Sequence, residues 1–173
     1  MKNFVLVITG PAGSGKSTVA NKLTRQFERC VNIEADHVKH FIVSGFKKKN
    51  KPSGEDDWEY TEWELAGDSI GLLAHNFQEK GYNVVINGYI GEAGWKAIEE
   101  HVTITHKVLL LPQVETVKAR DRQRPGDEPM GEEAVQQHYD YFSSSQFYDD
   151  FVRIDSTIHS KEETAEAVAE LLA

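Results

Sequence analysis

The sequence predicts a three-layer α/β/α sandwich on a parallel five-stranded sheet. Two observations carry that expectation. Five short apolar runs of strand length alternate with longer helical stretches along the 173 residues, and the first run stops at a glycine-rich turn leading directly into a helix. Parallel neighbours cannot be joined by tight hairpins, and alternating helices supply the crossovers they need.

Phe4 to Ile8 is continuous and rich in β-branched residues, as suits a strand covered on both faces. After the turn, Val19, Leu23 and Phe27 recur every four residues, predicting a helix from about Lys16 to Glu28. Val31 to Glu34 reads as a short second strand. Trp58 to Lys80 carries Ala66, Ile70, Leu73 and Phe77 at helical spacing and stops at Gly81. Asn83 to Asn87 (NVVIN), Thr103 to Leu111 (TITHKVLLL) and Phe151 to Ile154 complete the strands. Ser160 is placed to cap a last helix whose Ala165, Val168 and Leu172 share one face. Two segments break the alternation and read as mobile loops: Ser44 to Asp57, and Gln123 to Gly131 with two prolines and two glycines. The length fits one compact domain over residues 1–173.

Composition narrows the function classes. A formal net charge of -9 opposes non-specific attraction to nucleic acid or anionic lipid, so neither is expected as a partner. The single cysteine, Cys30, cannot form an internal disulfide, and the opening apolar run is too short for a signal peptide or membrane span. A cytoplasmic location is the expectation. Seven histidines show no convincing metal-ligand spacing; His37 and His40, three apart, read as partly exposed helix residues. Cys30 reads as a packing residue rather than a nucleophile.

Residues 10 to 17, GPAGSGKS, match G-x-x-x-x-G-K-[ST] in the strand-to-helix position that its chemistry requires. Glycines at 10, 13 and 15 let backbone N–H groups turn inward around phosphate oxygens, and the following helix adds its positive end. The expected nucleotide-binding residues are therefore Gly10, Pro11, Ala12, Gly13, Ser14, Gly15, Lys16, Ser17 and Thr18. Lys16 can counter charge developing between the β- and γ-phosphates, and the Ser17 hydroxyl can ligate Mg²⁺. An incidental glycine turn with a lysine is the competing explanation; chance produces such a match in about 1% of chains this size.

On this loop the chain resembles the small P-loop kinases, the group of AAA-type ATP-binding proteins that includes shikimate kinase, gluconate kinase and chloramphenicol phosphotransferase-like proteins. The resemblance spans nearly the whole length. It implies the P-loop NTP hydrolase fold with strand order 2-3-1-4-5, ATP and Mg²⁺ as cofactors, an acceptor-side insertion at about 44–80 and a lid at about 119–131. In IEAD, ending the second strand, it places Asp36 beside the acceptor hydroxyl as orienter or base and Glu34 at a magnesium-bound water. The alternative for Asp36 is a helix N-cap. Glutamate stands where the family usually has aspartate, and Asn87-Gly88-Tyr89 stands where many P-loop proteins have an acidic residue. Gly88 either admits an acceptor close to the backbone or is a turn glycine. In ARDRQRPGDEPMG, residues 119 to 131, the resemblance makes Arg124 the first candidate to clamp the transferring phosphate. It sets Arg120 against adenine and gives Asp155-Ser156-Thr157 the adenine-lining loop; for Arg122 the alternative is simple exposure to solvent, and for the arginines as a group it is an exposed helix end.

Lys47 to Lys49 with Lys51 form the one basic cluster, suited to an anionic acceptor or simply to solvent, and Trp58, Tyr60 and Trp63 suit either an acceptor pocket or the core. The favoured reading is a monomeric or homodimeric kinase phosphorylating a small-molecule hydroxyl, such as a sugar acid, metabolite or antibiotic. A nucleotide or nucleoside kinase and a slowly hydrolysing nucleotide-binding module are the alternatives. The guanine-reading N-K-x-D pattern is absent, which favours adenine.

Overall fold

The computed structural model describes residues 3–44, 58–123 and 129–172. β1 (Val5–Thr9) runs through the centre of the sheet with all its residues buried. Val5 and Val7 pack into one hydrophobic cluster, Leu6 and Ile8 into another on the opposite face, as the two-residue period of a strand dictates. A strand apolar on both sides needs helices on both sides.

Around β1 lie β2 (Cys30–Glu34), β3 (Asn83–Asn87), β4 (His106–Leu110) and β5 (Val152–Ile154). Their order is β2-β3-β1-β4-β5 and every pairing is parallel. This is the strand order expected above. α1 (Lys16–Thr24) and α7 (Lys161–Glu170) supply Val19, Leu23, Ala165 and Val168 to the Leu6/Ile8 side. α3 (Trp58–Glu79), α4 (Glu92–His101) and α6 (Glu132–Ser144) supply Trp63, Ile70, Trp95, Ile98 and Phe142 to the other. Two shorter helices, α2 (Ala35–Lys39) and α5 (Val114–Arg122), follow β2 and β4.

Element boundaries differ from expectation for local reasons. α1 stops at Thr24, where the N–H groups of Gln26 and Phe27 turn back to Leu23 and Thr24; Phe27 still reaches the core by packing edge-on against Phe4 at 5.0 Å. On α3 the buried position after Ile70 is Ala74, while Leu73 is 37% exposed, because a 3.6-residue period drifts off a strict repeat. β4 begins only at His106, since Thr105 ties itself to Val5 through its hydroxyl on both backbone groups. Ser160 caps α7 as expected, within a full capping box completed by Glu163. Among the described residues no helix is long and apolar enough to cross a membrane.

α3 and α4 cross at glycines. A Cβ on Gly67 would lie 2.2 Å from the Gly94 carbonyl oxygen, and one on Gly94 would lie 2.3 Å from Ile90 Cγ2 and 2.7 Å from the Trp63 oxygen. Alanine in a helix interior ordinarily stabilises by about 1 kcal/mol over glycine. Here the sign should reverse: Gly67→Ala is expected to destabilise by about 1–3 kcal/mol, as overpacking does, in a urea melt. A raised midpoint would mean that the two helices can separate without cost.

Candidate active site

The loop after β1 is shaped by a close approach. Gly10 has φ +146° and its missing Cβ would sit 2.3 Å from the Leu110 carbonyl oxygen, so only glycine lets β1 turn beside β4. Gly15, left-handed at φ 97°, is the N-cap of α1 and aims that helix's N-terminus at the loop. Lys16 Nζ donates to the Gly10 and Pro11 carbonyls, both at 2.9 Å, holding the ammonium over the loop. Ser14 is buried inside it, and among the described residues its hydroxyl has no hydrogen-bond partner.

Three oxygens converge at the foot of α1. The Ser17 hydroxyl lies 2.9 Å from Glu34 Oε1 and 3.2 Å from Asn87 Oδ1, and it donates to either. Asn87 is fully buried at the end of β3, and its amide nitrogen donates to Asn32 Oδ1 at 2.7 Å, which turns its oxygen toward Ser17. One hydroxyl proton thus faces two acceptors, and an all-oxygen set with one carboxylate suits a hard cation such as Mg²⁺ that keeps most of its waters. The donor set fits the metal. Asn87 was set aside in the sequence as the place where an acid is missing; its position at the carboxyl end of a strand was the signal that could have found it.

Asp36 lies in the first turn of α2 and is exposed. It does not cap the helix: the N-cap residue is Glu34, whose carboxylate is turned to Ser17 instead. Gly88, at φ +138°, packs closely on the start of α2, where a Cβ would stand 2.8 Å from that of Ala35. His37 is mostly exposed, with Nδ1 3.7 Å from Glu34 Oε2. Trp63 is buried in the core, edge-on to Tyr89 at 5.3 Å and beneath Lys39 Nζ at 3.9 Å. Burial pushes the Cys30 thiol up to about 11, so it is no nucleophile near neutral pH.

On the other side of the loop Gly13 packs on α5, where its Cβ would lie 3.0 Å from the Val117 oxygen and 3.7 Å from Arg120 Cβ. Arg120 Nη2 donates to the Ser156 carbonyl at 3.0 Å, and Ser156 Oγ donates to the Ser14 carbonyl at 3.5 Å. Arg120 and the loop after β5 are therefore joined to the phosphate loop. Asp155 accepts from the Thr157 hydroxyl and, at 2.8 Å, from the Thr157 N–H; the hydroxyl bond above all holds its carboxyl below the usual range. Arg122 pairs with Glu132 at 2.9 Å, linking the end of α5 to the start of α6. Arg124, Lys47 to Lys49, Lys51 and the side chains of Trp58 and Tyr60 lie outside the described residues.

One contact had no sequence signal at all. The Ala12 N–H donates to His138 Nδ1 at 3.3 Å, across 126 residues. His138 belongs to α6 and packs edge-on against Tyr89 and Phe142 at 5.4 and 5.1 Å; burial first and Lys16 second lower its pKa, with Asp36 opposing.

The family comparison agrees with this geometry: residues 5–146, most of the chain, match the AAA domain. The chain belongs to that AAA-domain family. Solved structures share the domain's fold along nearly its whole length. The tunicamycin resistance protein of Deinococcus radiodurans superposes with a TM-score of 0.70 at 17% identity, covering 99% of this chain and 96% of its own. A sugar kinase from Janibacter sp. HTCC2649 gives 0.72 at 16%, covering 98% and 94%. The thymidylate kinase of Candida albicans gives 0.70 at 13%, covering 99% and 91%. At these identities the likeness establishes the fold of this AAA domain, that of the small P-loop kinases. Comparison with curated proteins finds no match.

Proposed function

We propose that the protein is an ATP-dependent kinase that moves the γ-phosphoryl group of Mg·ATP to a hydroxyl of a small molecule. The observation that carries this reading is the convergence of Ser17, Glu34 and Asn87 oxygens at the foot of a glycine-rich loop that holds Lys16. Mg²⁺ at this site would supply positive charge against the negative charge that develops on the phosphate oxygens. Ser17 and Glu34, with Asn87, would hold it.

The loop amides from Gly10 to Thr18 and the positive end of α1 bind the phosphates, and Lys16 spans the β- and γ-phosphates. Arg120, bonded to Ser156, would offer a guanidinium plane to adenine, and Asp155 precedes Ser156 in the same loop. The acceptor oxygen attacks the γ-phosphorus in line, the bond to the β–γ bridging oxygen breaks, and ADP leaves. Asp36 orients the acceptor and takes its proton. Arg124 is the residue that the resemblance assigns to stabilising charge on the transferring group. The working form would be a cytoplasmic monomer or homodimer.

The test is a panel of hydroxyl acceptors, including sugar acids, nucleosides and hydroxylated antibiotics, with Mg·ATP. The expected result is one chemical class that raises ADP release above background and gains one phosphoryl mass. Slow hydrolysis unaffected by every acceptor would favour the nucleotide-binding module instead.

A further inference from the structure

His138 is unused by the reading above, yet its ring nitrogen occupies a main-chain donor of the phosphate loop. The Ala12 N–H donates to Nδ1, so the proton of the neutral ring resides on Nε2. Its placement is fixed: α6 carries it to the loop, and the rings of Tyr89 and Phe142 pack on it. The charged groups that act on it are Lys16 from α1 and Asp36 from α2; Tyr89, after β3, faces it as the third titratable group. In the proposed reaction Lys16 serves the β- and γ-phosphates and Asp36 the acceptor. The geometric anchor is the Ala12 amide: a phosphate seated in the loop meets the same N–H that this ring now occupies.

We propose that His138 is the loop's terminal-phosphate sensor: it accepts from Ala12 before nucleotide binds and donates to a γ-phosphate oxygen afterward, so that triphosphate is distinguished from diphosphate. This rests on the kinase reading. Three consequences follow from elementary chemistry. A phosphate oxygen that takes the Ala12 N–H frees Nδ1. The added negative charge then favours the imidazolium, so the ring takes up a proton from solvent at Nδ1. The cation stabilises triphosphate, whereas diphosphate, lacking the γ-group, leaves the ring neutral.

The sign of the pH dependence follows. Burial and Lys16 lower the ring's affinity for a proton in the free protein, and the γ-phosphate raises it in the complex. Triphosphate affinity should therefore fall as pH rises from about 6.5 to 8, by up to about tenfold for each pKa unit gained on binding.

The experiment is calorimetric titration of the full chain with Mg·ATP and Mg·ADP in buffers of different ionisation enthalpy, for the wild type and for His138→Asn. The asparagine side-chain oxygen can still accept from Ala12 but cannot become cationic. Wild type should take up about half a proton or more with ATP and close to none with ADP at about pH 7.5. His138→Asn should abolish that uptake and reduce the ATP-over-ADP preference by about tenfold, leaving ADP affinity within about twofold. Equal proton uptake with both nucleotides in the wild type, which needs no variant, would overturn the proposal, as would an unchanged ATP-over-ADP preference in a folded variant. Failure of wild type to bind either nucleotide would overturn the kinase reading itself.

Discussion

Lys16→Ala is expected to leave the protein folded and to lower phosphoryl transfer by at least about 10²- to 10³-fold. The ammonium donates to the carbonyls of Gly10 and Pro11 through two partly buried hydrogen bonds. The stability cost should thus be that of one ordinary hydrogen bond or two, about 1–2 kcal/mol. The transfer step has no substitute, because the helix N-terminus and loop amides supply partial charges and Lys16 supplies a whole one at the bond being broken. The measurement is single-turnover transfer from Mg·ATP alongside a thermal melt. A folded variant with transfer within about threefold of wild type would remove Lys16 from the reaction.

Asp36→Asn should cut turnover by about 10²-fold or more with the affinity for Mg·ATP unchanged. Asp36 is exposed in the first turn of α2, and the substitution keeps the bond from the His40 N–H to its backbone carbonyl, so it should change stability by less than about 0.5 kcal/mol. Loss of a base, unlike loss of a positioning group, also removes the acidic limb of the pH–rate profile. Steady-state kinetics with the acceptor identified from the panel, run across pH, checks both. Near-normal turnover would reduce Asp36 to a favourable charge at a helix N-terminus.

How far the chain could be read from its sequence depends on the range of the contacts involved. β1 and the loop after it were legible because Phe4 to Ile8 and GPAGSGKS specify their structure locally, through a period, a cluster of glycines and a helix start. Ser160 and Glu163 announced α7 in the same way. Edges were less legible: β4 starts late because the Thr105 side chain pairs with Val5, a partner 100 residues away. The site shows the same division. Ser17 and Glu34 were named from motif and strand end, yet the oxygen that completes their cluster comes from Asn87, whose rotamer is set by Asn32 on the neighbouring strand. Asp36 was legible as an acid at that strand end, but not as one within helix α2, because the capping place went to Glu34. The resemblance set Arg120 against adenine; its bond to Ser156 in the loop after β5 is a tertiary contact that no local pattern announces. His138 had no local signal, since nothing in the sequence of a polar, aromatic helix says that one of its faces returns to Ala12.

The central claim is that inward-facing main-chain amides around Gly10 to Ser17 form a site for a magnesium-bound adenine triphosphate. Equilibrium titration calorimetry of the purified chain with Mg·ATP and Mg·GTP tests it most directly. The account predicts saturable, magnesium-dependent binding of ATP, tighter than that of GTP, and its loss when the loop is closed by Gly10→Val. Absence of binding to either triphosphate with any divalent cation would contradict it.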